Sequence, residues 1–139
     1  MSFLLDTTVV SEWMKPLPNP GVIRWLAEVD EDRVYLSVMT LAELRFGTER
    51  LASGARKLRL EIWLKEELPL RFESRVLNVE TKIADAWGRV VNRCSAVGKP
   101  IGVMDAFFAA TAEVHSLTLV TRNVSDFAAS GISLSNPWS

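Results

Sequence analysis

The segment spanning residues 98–127, GKPIGVMDAFFAATAEVHSLTLVTRNVSDF, constrains the fold of this chain most. It reads as a loop, a helix with Asp105 in its first turn, an apolar strand over 117–120, and a polar turn holding Asn123 and Asp126. Acids at a helix start and just beyond a strand's carboxyl end belong to the rim of a parallel sheet, where open α/β folds bind ligands. The small residues Ala106, Ala109, Ala110 and Ala112 allow that helix to pack closely on a sheet.

Earlier in the chain the same alternation recurs. Phe3, Leu4 and Leu5 form an apolar run that stops at Asp6, as a buried central strand does. DTTVVSEWM follows at helical spacing, and the three prolines of KPLPNP break it. Asn19 caps a short helix with Pro20 at its first position and Val22, Ile23, Leu26 and Ala27 along one face. RVYLS (33–37) is a second strand. Thr40 then opens a helix with Leu41, Leu44, Phe46 and Leu51 as its apolar set, and Thr40 and Glu43 match the capping-box spacing. A charged helix over 55–68 points Leu58, Ile62 and Leu68 inward, with Trp63 near the stripe. RVLNV (75–79) is a third strand, and a long helix over 80–97 is closed by Gly98 and Pro100. Strands alternating with helices predict one α/β domain over residues 1–139 with a mainly parallel sheet.

Bulk properties narrow the function without deciding it. The 16 basic and 17 acidic residues nearly cancel, unlike the strong positive charge of a general nucleic-acid coat protein. A compact acidic site beside a basic rim fits the same balance. One cysteine, Cys94, rules out an internal disulfide and fits a reducing, cytoplasmic setting. No apolar run reaches the ~18 residues that span a bilayer, and MSFLLDTT lacks the basic start of a signal peptide.

Four acids fall at corresponding places in this layout. Asp6 ends the first strand, Glu43 lies about a turn into the helix after the second, Asp105 opens the penultimate helix, and Asp126 follows the next strand with Asn123. Taken singly, each has a local explanation: Asp6 and Asp105 as helix caps, Glu43 as half of a capping box, Asp126 as a turn residue. Taken together on one rim, they repel one another and raise one another's pKa values unless a cation neutralises them. Oxygen-only ligands select a hard ion, Mg²⁺ or Mn²⁺, and such sites stabilise the charge developed in phosphodiester cleavage.

FLLDTTVVSEWMKP, SVMTLAELRFG and IGVMDAFFAATAEVHSLTLVTRNVSDF, with the terminal NPW, resemble the PIN-domain ribonucleases, above all the toxins of VapBC- and FitAB-type toxin–antitoxin pairs. The matched blocks cover nearly the whole chain in family order. The resemblance implies a three-layer α/β/α fold with a parallel sheet and a Mg²⁺ or Mn²⁺ site. It also implies cleavage of RNA, inhibition by a small antitoxin protein, and a homodimer built through helices. Carried over by position, Asp6, Glu43 and Asp105 are metal ligands, Asp126 joins them as metal or water ligand, and Asn123 is a polar supporter. Thr121 fits the family's hydroxyl at this turn and can hold Asp6 or Asp105. Thr8 departs from the Asn that family members commonly carry, which alters the support of the site. A silent PIN-like interaction module is the alternative.

The remaining motifs are bland. His115, the sole histidine, reads as a helix-end residue; no GxGxxG, GxxxxGK or nucleophile elbow occurs. Arg45, Arg50, Arg56, Lys57 and Arg59 read mostly as a solvated face with Glu49 and Glu61; the alternative for some of them is to steer an RNA backbone, with binding that weakens as salt rises. A phospho-accepting signalling domain would want a lysine after the last strand, and residues 120–139 contain none. Trp63, Leu64 and Phe72 either belong to the core or line a groove for an antitoxin helix, and the resemblance favours the groove.

Overall fold

Leu4 and Leu5 are neighbours in sequence and both fully buried, yet they belong to two different apolar clusters. Side chains alternate between the faces of a strand, so a strand with two buried faces must lie between two helical layers. The computed structural model, which describes residues 1–139, shows that arrangement. Five strands, β1 (Phe3–Leu5), β2 (Val34–Ser37), β3 (Val76–Leu77), β4 (Thr118–Val120) and β5 (Leu134–Ser135), form one sheet in the order β3-β2-β1-β4-β5. Every pairing is parallel.

Helices α1 (Thr7–Glu12) and α2 (Pro20–Glu28) follow β1, and α3 (Val38–Glu49) follows β2. Next come α4 (Ala55–Ile62), a π-helical turn (Trp63–Glu67) and α5 (Leu68–Phe72). Helices α6 (Thr81–Ala96) and α7 (Val103–His115) precede β4, and the short α8 (Val124–Phe127) follows it. One face of the sheet, with Leu4 and Leu119, packs on Ile83, Ala86, Val90 and Cys94 of α6 and the alanines of α7. The other, with Leu5, Val34, Leu36 and Val120, packs on α1, α2 and the Leu64–Leu68–Phe72 ridge. The result is the three-layer α/β/α sandwich expected from the sequence. No helix is long and apolar enough to cross a membrane.

Several local expectations hold. The Asn19 side chain caps α2 by accepting from the amides of Gly21 and Val22. Gly98, at φ +72°, ends α6, where the Lys99 amide reaches back to the Cys94 carbonyl. Cys94 is buried and His115 is exposed as the last residue of α7. Arg45 pairs with Glu49 as one exposed face requires, while Glu61 takes no part.

Others are corrected. Helix α3 starts at Val38, capped by the Ser37 hydroxyl, so Thr40 is an interior, fully buried helical residue and no Thr40–Glu43 capping box exists. Phe46 of the same helix points outward, 64% exposed. In α2, Val22 is buried and Trp25 and Leu26 partly so, whereas Ile23 and Ala27 face solvent. Leu58 and Ile62 also turn outward, while Leu64, Leu68 and Phe72 carry the inward ridge through the π turn. Residues four apart drift off one face of an α-helix; the wider i→i+5 turn returns them to phase. Leu64 and Phe72 are therefore core, not groove. The third strand is only two residues long, and β5, which carries no sequence signal of its own, completes the sheet.

Candidate active site

Strand order dictates where a site can form. From β1 the chain moves outward one way to β2 and β3, then returns to β4 on β1's other side. The crevice beyond the carboxyl ends of β1 and β4 is the switch point, where neighbouring connections run off in opposite directions. Asp6 is the residue after β1, and Thr121 the residue after β4. Helices α1 and α3 start at this rim because they follow parallel strands, and α7 starts here because it runs back antiparallel to β4. This is why Glu43, in the second turn of α3, and Asp105, in the first turn of α7, reach the same place.

Asp6 is 6% exposed, and its amide extends the ladder by donating to the Val120 carbonyl at 2.9 Å. Its Oδ2 accepts from the Thr121 hydroxyl at 2.6 Å and from the Thr8 hydroxyl at 3.1 Å. Thr8 thus contacts the carboxylate despite its departure from the family's Asn. The Thr121 hydroxyl also accepts the Asn123 amide at 3.0 Å, tying the polar turn to Asp6. Glu43 accepts from the Thr7 hydroxyl at 2.6 Å, and Thr7 in turn shares a hydrogen bond with buried Thr40. The Thr40–Glu43 spacing therefore serves this chain of contacts from α1 to α3.

A cavity of about 300 Å³ opens between these groups, lined by Asp6, Thr7, Glu43, Asp105 and Asn123. It also takes in Lys15, Arg122 and Trp138, which lie in the matched blocks but were given no role by the motif-based reading. Asp126 lies outside the lining, exposed in the first turn of α8. Burial, followed by the negative charges of Asp6, Asp126 and Glu43, pushes the Asp105 carboxyl up to about 6. The four acids therefore interact electrostatically, although as the side chains stand no three are gathered tightly enough to enclose an ion. All-oxygen donors with a like-charge excess suit a hard divalent cation better than a soft one.

Removing the Thr121 hydroxyl tests how firmly Asp6 is held. Thr121→Val keeps the shape but leaves buried Asp6 one donor short and the Asn123 amide without its acceptor. We expect a loss of about 1–3 kcal/mol, read as a lower urea midpoint at unchanged slope.

Comparison with known proteins decides the family. The model of the PIN domain matches residues 3–129. The chain belongs to the PIN-domain family. Among PIN proteins it is 38% identical to Toxin FitB of Neisseria gonorrhoeae over 135 residues, 97% of each chain. It is 34% identical to VapC ribonuclease Y4jK of Sinorhizobium fredii, over 97% of this chain and 96% of that one. The crystal structure of FitAcB from Neisseria gonorrhoeae superimposes with a TM-score of 0.93 at 38% identity, covering 98% of both chains. The DNA-bound VapBC of Salmonella typhimurium gives 0.77 at 28% identity, again covering 98% of both. The PIN fold, with its all-parallel five-stranded sheet, is thus common to this chain and to solved toxin–antitoxin proteins.

Proposed function

We infer that this PIN protein is the toxin of a VapBC/FitAB-type toxin–antitoxin pair, a metal-dependent endoribonuclease held in check by a small antitoxin. The supporting observation is Asp105, whose carboxyl is raised to about 6 by burial and by three other acids at the switch point of the sheet. Such an arrangement stores charge repulsion that a cation relieves. Asp6, Glu43 and Asp105 would hold Mg²⁺ or Mn²⁺, with Asp126 as a fourth, outer ligand directly or through water, and Asn123 lining the wall. When bound, the ion supplies positive charge against the developing phosphorane and makes water a better nucleophile. Thr121 and Thr8 orient Asp6, and Thr7 orients Glu43, so the ligands are fixed before substrate arrives. Relatives that are solved as toxin–antitoxin complexes support the antitoxin partner, and the same kinship supports a homodimer and a cytoplasmic setting.

RNA cleavage by the purified chain with Mg²⁺ or Mn²⁺, beside EDTA and Asp6→Asn controls, tests the reading. Cleavage lost in both controls is the expected result. A folded chain that neither cleaves RNA nor shows Mn²⁺ binding by calorimetry would instead be a silent interaction module.

A further inference from the structure

Three acids and two cations line the cavity, and the cations are not spent on the acids. Lys15 pairs with Glu12, outside the lining. Arg122 forms none of the chain's ion pairs; its guanidinium lies 5.8 Å from the centre of the Trp138 ring. Trp138 is itself seated by the tail that docks on α2. Asn19 Oδ1 accepts the Ser139 amide, and Gly21 leaves room where a Cβ would stand 2.4 Å from the Pro137 carbonyl oxygen.

Glu12 is the unusual member of this group, a carboxylate only 2% exposed at the end of α1, on the helix that buries Val9 and Val10. Its Oε1 accepts the Asn19 amide at 2.8 Å, and its Oε2 has no partner other than the Lys15 ammonium. Burial pushes the Glu12 carboxyl up, but the Lys15 and Asn19 hydrogen bonds and the charges of Lys15 and Arg122 outweigh it, leaving the carboxyl below its ordinary value. A buried charge is tolerated when it is paired and hydrogen-bonded in this way. The pairing also has a consequence for Lys15. A flexible lysine at the mouth of an acidic cavity is drawn to the nearest carboxylate. Glu12 holds it at the rim instead, with its stem half-exposed and two of its three ammonium protons left over.

We propose that Lys15 and Arg122 form a phosphate-gripping arm of the site, which holds the RNA backbone next to the scissile phosphodiester, and that Glu12 is the positioning residue that keeps Lys15 there. The proposal rests on the ribonuclease reading above. The charge of three carboxylates exceeds that of one divalent ion, so without such an arm the cavity would still repel the backbone of its own substrate. Cations placed beside the acids, rather than paired with them, resolve that conflict and leave the acids free.

Fluorescence anisotropy of a labelled single-stranded RNA oligonucleotide, titrated with the full chain in EDTA at several salt concentrations, tests the arm without cleavage. Lys15→Met and Arg122→Met should each weaken binding about tenfold at low salt. Each should also flatten the salt dependence by about 0.7 in logarithmic slope, one single-strand phosphate contact. Lys15→Arg should restore both, and Arg24→Met, a charge removed from the exposed face of α2, should change neither. Glu12→Gln should reproduce the Lys15→Met slope and add nothing to it in the double variant, whereas a purely structural role would make the two losses additive. If Glu12→Gln fails to fold by circular dichroism, the Lys15 pair still decides. Unchanged affinity and slope in Lys15→Met, or a chain that cleaves RNA with metal yet binds none in EDTA, overturns the arm and leaves the ribonuclease standing. A wild-type chain that neither binds nor cleaves RNA overturns both.

Discussion

Asp105→Asn is expected to cut metal-dependent RNA cleavage by on the order of 10³-fold while making the metal-free protein more stable at neutral pH. Both effects have one origin. With its carboxyl raised to about 6 against an ordinary 3.8, Asp105 binds its proton more tightly in the folded chain than in the unfolded one. Below pH 3.8 both states hold the proton and the group costs nothing. Between there and about 6 the folded state must give up a proton it prefers to keep, so stability falls as pH rises, and above 6 the full penalty remains. Asp105 is only partly buried, so solvent screening reduces that penalty to on the order of 1 kcal/mol. The variant escapes it, and its advantage over wild type should appear between pH 4 and 6 in urea titrations with EDTA. Adding Mg²⁺ or Mn²⁺ should reverse the order, since a bound ion stabilises only the protein that binds it. The same proton competes with the metal, so metal affinity of the wild type should fall as pH drops below about 6. A variant that cleaves RNA normally, or that is less stable without metal, would remove Asp105 from the site.

Phe72→Ala should destabilise the fold by about 3–5 kcal/mol, measured by denaturant or heat, because it empties a fully buried site between α5 and the sheet. Phe72 also meets the Trp13 ring at 6.1 Å and carries the Arg75 guanidinium at 4.9 Å, contacts that a smaller residue forfeits. A loss below about 1 kcal/mol would mean that Phe72 faces solvent, as in the groove expected from the sequence. The exposed apolar residues of this region are different ones, Phe46, Leu58, Ile62 and Leu70. Substituting those should leave stability nearly unchanged, within about 0.5 kcal/mol.

Which parts of this molecule could be read from its residues follows from what each residue answers to. β1 and β4 were legible because they are buried on both faces and so read as unbroken apolar runs ending in polar residues. β5 was not, since two residues at a sheet edge leave no periodicity to detect. Helix starts set by a side-chain cap were legible where one candidate stood alone, as at Asn19. In α3 the sequence pointed to Thr40, but the Ser37 hydroxyl at the end of β2 takes the cap, and Thr40 contacts Thr7 instead. The Leu58–Ile62 face was misassigned because a π turn changes the period on which the assignment depends. The acids at the rim were found through spacing and resemblance. The cations beside them were missed because Lys15 and Arg122 look like ordinary surface residues. Glu12 was the available clue, an acid set among Val9, Val10 and Trp13, the apolar positions of the first helix.

Asp6 and Thr121 are 115 residues apart, yet a single hydrogen bond between them joins the two halves of the rim. A ribosome adding about 5–20 residues per second delivers the second many seconds after the first. Until β4 can insert beside β1, a growing chain has only the β1–β2–β3 side of its sheet and half of the rim, whatever helices it has already made. A nuclease built this way cannot act on the transcript being translated before its β4 strand has been made and has inserted.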